Sequence, residues 1–353
     1  MVKSLVTKLK GSVSNTDLLR LGEMRIYIKK EKSPTSKSRS LQLNVSNATV
    51  LEIVGNGYFT DKTLSENKGK TTSLTSGYQT IYVSNDDVVL AILNKYGIVE
   101  LYCEDYTLVG SANKLHKSFD LEGLKYSTRL RVLQGGCLIT GDISLLGKFT
   151  NLTTIYLSNS LVTGDISSLS NLVNLEVLNL ERSSVIGDIS SLSKLTKLKK
   201  VYLRETKTYG NASCFASASL TMLYLDSATL NLADFVNSSL LQIIEVYNAA
   251  SINGDLALLP NSLSTVLITG DGIKKCTWTS RDSSAKIIAM PFPLITENID
   301  KMLQDQAKCQ SAITSSTNVL YKKITAIGTR TSASDDAVTT LQNKGYTVSI
   351  IPA

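Results

Sequence analysis

The chain is poor in the residues that most catalytic and metal sites require. Its 353 residues include one histidine, five cysteines and one tryptophan. His116 alone cannot build a two-histidine metal site, and it would have to serve as the base of any Ser-His-Asp arrangement. The motifs G-x-x-x-x-G-K-[ST], G-x-G-x-x-G and G-x-S-x-G are all absent. The sequence therefore predicts a non-enzymatic protein with no cofactor and no metal.

Cysteine pairs and long apolar runs are also lacking. The five cysteines are odd in number, scattered and free of C-x-x-C spacing, which predicts buried thiols in a reducing compartment: Cys103, Cys137, Cys214, Cys276 and Cys309. No apolar run approaches the length of a membrane span, and residues 1–15 lack the apolar core of a signal peptide. We expect a chain that is made in a cytoplasm and is neither exported nor inserted into a membrane.

Positive charge is concentrated at the start of the chain. The formal net charge is +7, and residues 1–40 carry ten Lys and Arg against Asp17, Glu23 and Glu31. A solvated basic loop explains this charge, and contact with an acidic surface is the alternative. In the second case the docking residues are Lys3, Lys8, Lys10, Arg20, Lys29, Lys30 and Lys32. Because no nucleic-acid-binding motif accompanies these residues, nucleic acid is not the predicted partner.

The rest of the sequence is dominated by a repeat of 22 or 23 residues. Glycines recur every 23 residues at positions 141, 164, 187 and 210, and the first three begin the tetrapeptide GDIS. An apolar frame of the form L-x-x-[LIV]-x-[LIV] recurs with them and starts at Leu152, Leu175, Leu198, Leu220, Leu241 and Leu263. Each frame has the alternation of a short strand. A unit this short cannot bury its own apolar side, so stacked units must form a solenoid.

This repeat resembles that of leucine-rich repeat proteins. The resemblance implies an α/β leucine-rich repeat solenoid with about 22–23 residues per coil, a parallel β ladder and an N-terminal all-β domain. The family often places Asn at the ninth position of the frame, where it bonds backbone groups between coils. Here that position holds other residues, and small hydroxyls are expected to do part of this work: Ser160, Ser183, Thr206, Ala228, Ala249 and Asp271.

Changes in residue composition and apolar pattern along the chain predict four segments. Residues 1–22 form a basic arm, and 23–111 form an antiparallel β domain, either a sandwich or a partial barrel, whose last strands run into the first coil. Six short β-type runs carry that prediction, with NKYG (94–97) as a hairpin turn. Residues 112–290 form the repeat array. Residues 291–353 form an α/β cap, with a helix starting near Thr296 or Asn298 and a second helix that ends at Gly345.

The repeated aspartates Asp142, Asp165 and Asp188 stack along one edge of the predicted solenoid. Stacked carboxylates are potential Ca²⁺ ligands. The alternative is structural, with each side chain capping the Ser-Ser-Leu turn that follows it. Asn211 replaces the fourth copy, and this favours caps over calcium.

The outward positions of the ladder are the predicted binding residues. The resemblance implies that partners bind at this concave face, where the candidates are Tyr156, Asn179, Arg182, Tyr202, Arg204, Tyr224, Glu245 and Tyr247. Tyrosine combines apolar area with a hydroxyl and is enriched in interfaces, although it also suits any exposed strand face. Protein and glycan partners both remain open.

The repeat GDISSLSNLVNLEVLNL and the ending TSASDDAVTTLQNKGYTVSI resemble proteins of gut Bacteroidetes and their phages, including crAss-like phages. There, similar chains are candidate virion fibre or decoration proteins. The resemblance implies a virion structural or adhesion subunit, made in the host cytoplasm, that docks to capsid, portal or tail proteins. It also implies a homo-oligomer that binds protein or glycan on the host surface. The alternative is a cytosolic bacterial scaffold for protein–protein interaction.

Overall fold

A computed structural model describes residues 117–125, 127–135, 138–270, 276–295, 298–311 and 322–352, and nine strands between residues 24 and 103. The backbone divides into two compact units. The first comprises Met1–Leu175 and Asn179–Val185, and the second comprises Glu176–Leu178 and Ile186–Ala353.

The amino-terminal strands of the first unit form two antiparallel sheets. Their bounds are β1 (Met24–Ile28), β2 (Arg39–Val45), β3 (Thr49–Val54), β4 (Phe59–Thr60), β5 (Ser65–Glu66), β6 (Thr71–Leu74), β7 (Gly77–Val83), β8 (Val88–Ile92) and β9 (Ile98–Cys103). One sheet runs in the order β1-β8-β3-β6 and the other in the order β9-β2-β7-β4-β5. All six strands expected from sequence are present, and β4, β5 and β6 are additional. Because β8 and β9 lie in different sheets, the predicted hairpin at NKYG is wrong.

The coils that precede β23 each contribute two strands and a 3₁₀ turn. The frame strands form the first ladder: β11 (Val132–Gly135), β13 (Thr154–Tyr156), β15 (Val177–Asn179), β17 (Lys200–Tyr202), β19 (Met222–Asp226), β21 (Ile243–Tyr247) and β23 (Thr265–Ile268). The strands around the recurring glycines form the second ladder: β10 (Lys117–Asp120), β12 (Leu138–Asp142), β14 (Leu161–Asp165), β16 (Ser184–Asp188), β18 (Lys207–Asn211), β20 (Ala228–Asn231) and β22 (Ser251–Asn253). The sequence predicted the first ladder and missed the second.

In the first unit, both antiparallel sheets continue directly into the ladders. Strand β10 pairs antiparallel with β1 and parallel with β12, while β11 pairs parallel with both β9 and β13. The register places Leu101 beside Leu133, and Leu133 beside Ile155, and all three side chains are fully buried. The apolar ladder therefore begins on β9, before the predicted start of the array at residue 112.

In the second unit, each ladder is a parallel sheet with one strand per coil. Strands β16, β18, β20 and β22 pair in sequence, as do β17, β19, β21 and β23. The repeat length sets the register, so that Tyr202 lies beside Tyr224 and Tyr224 beside Glu245. Equivalent positions of successive coils consequently form columns across the sheet.

The apolar frame predicted the core. The six leucines that start the frames are at most 1% exposed. Full burial of a leucine contributes about 1.5–3 kcal/mol, so the six frame leucines make a large contribution to the stability of the array. The 3₁₀ turns bury a second layer, for example Ile166 and Leu169 in the turn Ile166–Leu169.

A column of left-handed residues follows the first ladder. Its members have φ between 50° and 56° and none is glycine: Asn159, Arg182, Glu205, Ser227 and Asn248. The backbone N–H of Asn159 donates to the Glu181 carbonyl in the next coil at 2.8 Å, and that of Ser227 donates to the Tyr247 carbonyl at 2.9 Å. These hydrogen bonds between coils offset the conformational cost of about 1–2 kcal/mol per residue.

The array of the second unit leads into an α/β cap. Strands β24 (Met290–Ile295), β25 (Lys323–Ile327) and β26 (Thr347–Ile351) form a parallel sheet in that order, with helices α1 (Ile299–Lys308) and α2 (Asp335–Asn343). Asn298 precedes α1 as expected, but it is left-handed and its side chain makes no capping bond. Gly345, with φ 87°, ends α2 as predicted.

Buried polar residues join this cap to the last coil. Asp305 of α1 accepts hydrogen bonds from Trp278 Nε1 at 3.1 Å and from Lys301 Nζ at 2.7 Å. Burial raises the pKa of the Asp305 carboxyl, but the bonds from Lys301 and Trp278 outweigh it and leave the pKa below its ordinary value. Arg281 is 5% exposed and donates to four backbone carbonyls, those of Ala257, Leu259, Pro260 and Lys286.

None of the helices in the described part of the chain is long and apolar enough to cross a membrane.

Candidate functional site

The candidate residues of the first unit are held by their own coils. Tyr156 is half-buried at the outward side of β13. Asn179 is 3% exposed and its side-chain oxygen accepts a hydrogen bond from the Glu181 N–H at 3.0 Å. The expectation that Asn179 faces solvent is therefore wrong, since its side chain closes the turn after β15. Arg182 is exposed in the left-handed turn.

In the second unit, the outward side of the first ladder carries a stacked tyrosine pair. The rings of Tyr202 and Tyr224 lie with centroids 4.9 Å apart and planes at 20°. The Tyr202 hydroxyl donates to Met222 Sδ at 3.3 Å. The strand register brings these residues together, because Lys200–Tyr202 pairs with Met222–Tyr224. Both side chains are half-buried, so the pair is held in place before any partner binds.

Arg204 crosses the ladder beside this pair. Its Nη1 atom lies 3.7 Å from Glu245 Oε2, and its guanidinium carbon lies 4.4 Å from the centroid of the Tyr247 ring. Glu245 is only 3% exposed. Its predicted exposure is wrong because Tyr224 and Leu267 flank it in register and Arg204 is paired with it. A buried carboxylate needs such a partner, and Arg204 supplies it.

Burial also perturbs two further groups of this cluster. Burial raises the pKa of Asp226, although the Glu205 backbone N–H and Arg204 oppose the shift, and the Asn248 side chain donates to it at 3.5 Å. Burial and the neighbouring Glu245 carboxylate raise the pKa of the Tyr247 hydroxyl. Both shifts follow from the partial burial of these groups on the outward face of the ladder.

We define the ladder site as Tyr202, Arg204, Met222, Tyr224, Asp226, Glu245 and Tyr247. The binding candidates of the sequence analysis include all of these residues except Met222 and Asp226. The signal for Met222 was available, since the frame places it two residues before Tyr224 on the same side of the strand. Leu267, which lies beside Glu245 in the register of the first ladder, is 1% exposed and belongs to the core.

Several predicted residues lie outside the described residues. These are His116 and the seven basic docking residues Lys3, Lys8, Lys10, Arg20, Lys29, Lys30 and Lys32. Their docking role stays a prediction.

No family model matches the chain, and no curated protein matches it. Solved structures do. The PEPR1-AtPEP1 crystal structure matches 72% of the chain and 35% of its own length, at 19% identity and a TM-score of 0.52. The chain has a leucine-rich repeat fold. The HAESA ectodomain of Arabidopsis with an IDA peptide hormone matches 53% of the chain and 34% of its own length, at 20% identity and a TM-score of 0.42. An internalin of Listeria monocytogenes matches 74% of the chain and 85% of its own length, at 18% identity and a TM-score of 0.39. The chain thus spans about a third of the PEPR1 and HAESA structures.

The aspartate column of this leucine-rich repeat array caps the 3₁₀ turns. Asp142, Asp165 and Asp188 each accept a hydrogen bond at 2.8 Å from the backbone N–H two residues later. Asn211 does the same at 2.9 Å, and Asp120, Asn231 and Asp255 extend the column. Among the described residues, no group of His, Cys, Asp or Glu is arranged to hold a metal ion. The contacts therefore support caps of the turns, which the sequence favoured over calcium ligands.

The ninth position of the leucine-rich repeat frame is only partly served by hydroxyls. Thr206 Oγ1 donates to the Leu203 carbonyl at 2.7 Å and lies 2.9 Å from Thr208 Oγ1. Ser160 and Ser183 are buried without a hydrogen-bond partner for their hydroxyls. The expectation is wrong for the two serines, and Thr206 bonds a carbonyl of its own coil and not one of a neighbouring coil.

The described cysteines are reduced thiols. Cys214 is half-buried, whereas Cys276 and Cys309 are buried. Burial raises the pKa of Cys214 to about 12 and that of Cys276 to about 11, with the nearby carboxylates of Asp188 and Asp255 adding to the two shifts. Thiols with such pKa values are poor nucleophiles at neutral pH. Cys276 and Cys309 are buried as the sequence predicted, whereas Cys214 is only half-buried.

Proposed function

We propose that this leucine-rich repeat chain is a non-enzymatic binding module that holds a protein partner at the ladder site. The observation that carries the proposal is the preformed cluster of stacked tyrosines beside the Arg204–Glu245 pair. Rigid aromatic side chains that are already packed lose little entropy when a partner binds, which is why they dominate the energetics of many interfaces. The PEPR1 structure is itself a complex with AtPEP1, although that likeness supports the fold alone.

The chemistry of the ladder site supports a protein partner. Tyr202 and Tyr224 stack one face of each ring against the other, and the guanidinium of Arg204 covers a face of Tyr247. The remaining ring faces, edges and hydroxyls, together with the Met222 side chain, place apolar area beside hydrogen-bonding groups. This combination suits the mixed surface of a polypeptide.

We expect alanine at both Tyr202 and Tyr224 to weaken binding at least about tenfold, a loss typical of aromatic hot spots. The probe is a displayed library of random dodecapeptides, selected on the wild-type chain, and the best binder is then titrated calorimetrically. Tyr209→Ala is the matched control, since Tyr209 is 56% exposed on the second ladder of the same unit. Equal loss in the control, or unchanged affinity in the double variant, would contradict the assignment of this site.

We further propose that the module works in a phage virion, as a head or tail fibre or decoration subunit, made in the host cytoplasm and docked through its amino-terminal region. The resemblance of the GDIS repeats and of the carboxy-terminal segment to phage-associated proteins supports this location. Mass spectrometry of purified particles is expected to detect the chain at a stoichiometry typical of structural proteins. Its absence from particles, with presence in the lysate, would favour the cytosolic scaffold instead.

A further inference from the structure

The parallel sheet of the cap has an open edge at β26. Among the described strands, β26 pairs with β25 alone. Its sequence, TVSII, has no charge, and Thr347, Ser349 and Ile351 are exposed. Natural proteins usually protect such edges with lysine, proline or a bulge, because a flat uncharged edge readily pairs with another strand. A further strand can therefore pair with this edge.

The hydrogen-bond pattern fixes which backbone groups the edge offers. Gly328 N–H donates to the Ile351 carbonyl at 2.9 Å, so the polar groups of Ile351 point toward β25. Successive residues of a strand point their N–H and C=O to alternate sides, so those of Thr347 and Ser349 also point toward β25. Those of Val348 and Ile350 point to the open edge. Pro352, which lacks an N–H, follows on that same side and ends the available ladder.

We propose that the chain forms a two-fold symmetric dimer in which β26 pairs antiparallel with β26 of a second copy, centred on Ser349. In this register Val348 faces Ile350 of the second copy and Ile350 faces its Val348, and each pair exchanges both of its backbone hydrogen bonds. Thr347 faces Ile351, so β-branched side chains meet on both sides of the axis and no like charges are opposed. The register also leaves Pro352 outside the hydrogen-bonded pairs.

A second copy satisfies these constraints because the edge is complementary to itself. The pattern of two offered residues, Val348 and Ile350, is symmetric about Ser349, as the self-matching surface of a two-fold dimer requires. The proposal is independent of the ladder site, since β26 belongs to the cap and none of the ladder residues takes part.

Disulfide trapping tests the register directly. Opposed residues of a pair that does not exchange hydrogen bonds have Cα atoms about 4.5 Å apart, within the range of about 4.4–6.8 Å that a disulfide spans. Ser349→Cys in the full chain is therefore expected to give a covalent dimer under mild oxidation. Thr347→Cys is the matched control, because its opposite residue is Ile351 and not itself. The wild type under the same oxidant measures any background from the native cysteines.

Sedimentation equilibrium over a wide range of concentration tests the association itself. The wild type is expected to dimerise, and Ser349→Lys, which opposes two lysines at the axis, is expected to weaken the dimer at least about tenfold. Thr339→Lys, at an exposed position of α2, is expected to have no effect. A monomeric wild type, a dimer insensitive to Ser349→Lys, or equal trapping at residues 347 and 349 would each overturn the proposal.

Discussion

Replacing Gly210 with alanine is expected to lower the free energy of unfolding of the second unit by about 2–4 kcal/mol. Gly210 has φ +120°, which L side chains rarely adopt, and a Cβ atom there would lie 2.1 Å from Asp188 Oδ1. Asp188 is the cap of the preceding coil and accepts from the Ser190 N–H at 2.8 Å. The variant must therefore strain its own backbone and displace a cap that contributes about 1 kcal/mol.

The measurement uses the only tryptophan of the chain. Trp278 is 1% exposed in the same unit, so its fluorescence follows denaturant unfolding of that unit. Lys207→Ala, at an exposed position of the same strand, is the control and is expected to cost less than about 0.5 kcal/mol. A loss below about 1 kcal/mol in Gly210→Ala would show that the contact with the cap is not tight.

A double-mutant cycle separates strain from steric conflict. Asp188→Ala alone is expected to cost about 1 kcal/mol, the typical value of a lost cap. Combined with Gly210→Ala, it removes the group with which the new methyl collides. The double variant is therefore expected to lose less free energy of unfolding than the sum of the two single losses. Strict additivity would mean that backbone strain alone accounts for the effect. A non-additive result would explain why glycine and aspartate recur together, since the glycine of one coil leaves space for the aspartate of the coil before it.

The parts of the fold that follow from period and polarity were predictable. The frame leucines from Leu152 to Leu263 placed every first-ladder strand of the six predicted coils, and the recurring Asp-Ile-Ser placed the capped turns. The strands and the capped turns both depend on contacts between residues one repeat apart, and the period of the sequence indicates these contacts directly. Strand alternation was equally visible in the amino-terminal runs, although their pairing was not, because strands far apart in sequence join there.

The remaining features depend on contacts that periodicity does not encode. Arg204 reaches Glu245 two coils away, and only the folded register shows that this pair buries the carboxylate. The left-handed turn at Glu205 contains neither glycine nor asparagine, so no local signal marked it. The start of the apolar ladder on β9 was hidden for the same reason. Leu101 looks like any strand residue until its register with Leu133 is known.

Replacing Arg281 with methionine is expected to destabilise the junction of array and cap by roughly 3–5 kcal/mol, the cost of leaving several buried polar groups unpaired. Its guanidinium donates to Leu259 O at 3.0 Å and to Pro260 O at 3.3 Å, on the turn that leads into β23. Methionine fills a similar volume but donates nothing, so these carbonyls lose their partners while water stays excluded. Burial already holds the pKa of Arg281 below its ordinary value, yet the guanidinium stays charged at neutral pH.

Arg330→Met is the matched control for this experiment. Arg330 is also in the cap, but its ion pair with Asp335, at 2.6 Å, is partly exposed to solvent. Exposed pairs contribute at most about 1 kcal/mol, so we expect this variant to unfold close to the wild type. Trp278 Nε1 and the backbone N–H of Arg281 both donate to Asp305, so the fluorescence of Trp278 should detect the unfolding of Arg281→Met at a lower denaturant concentration. If the two variants unfolded at the same denaturant concentration, the carbonyls around Arg281 would have found other hydrogen-bond donors. The junction would then be held by the bonds of Asp305 and by apolar packing, and the buried guanidinium would be dispensable.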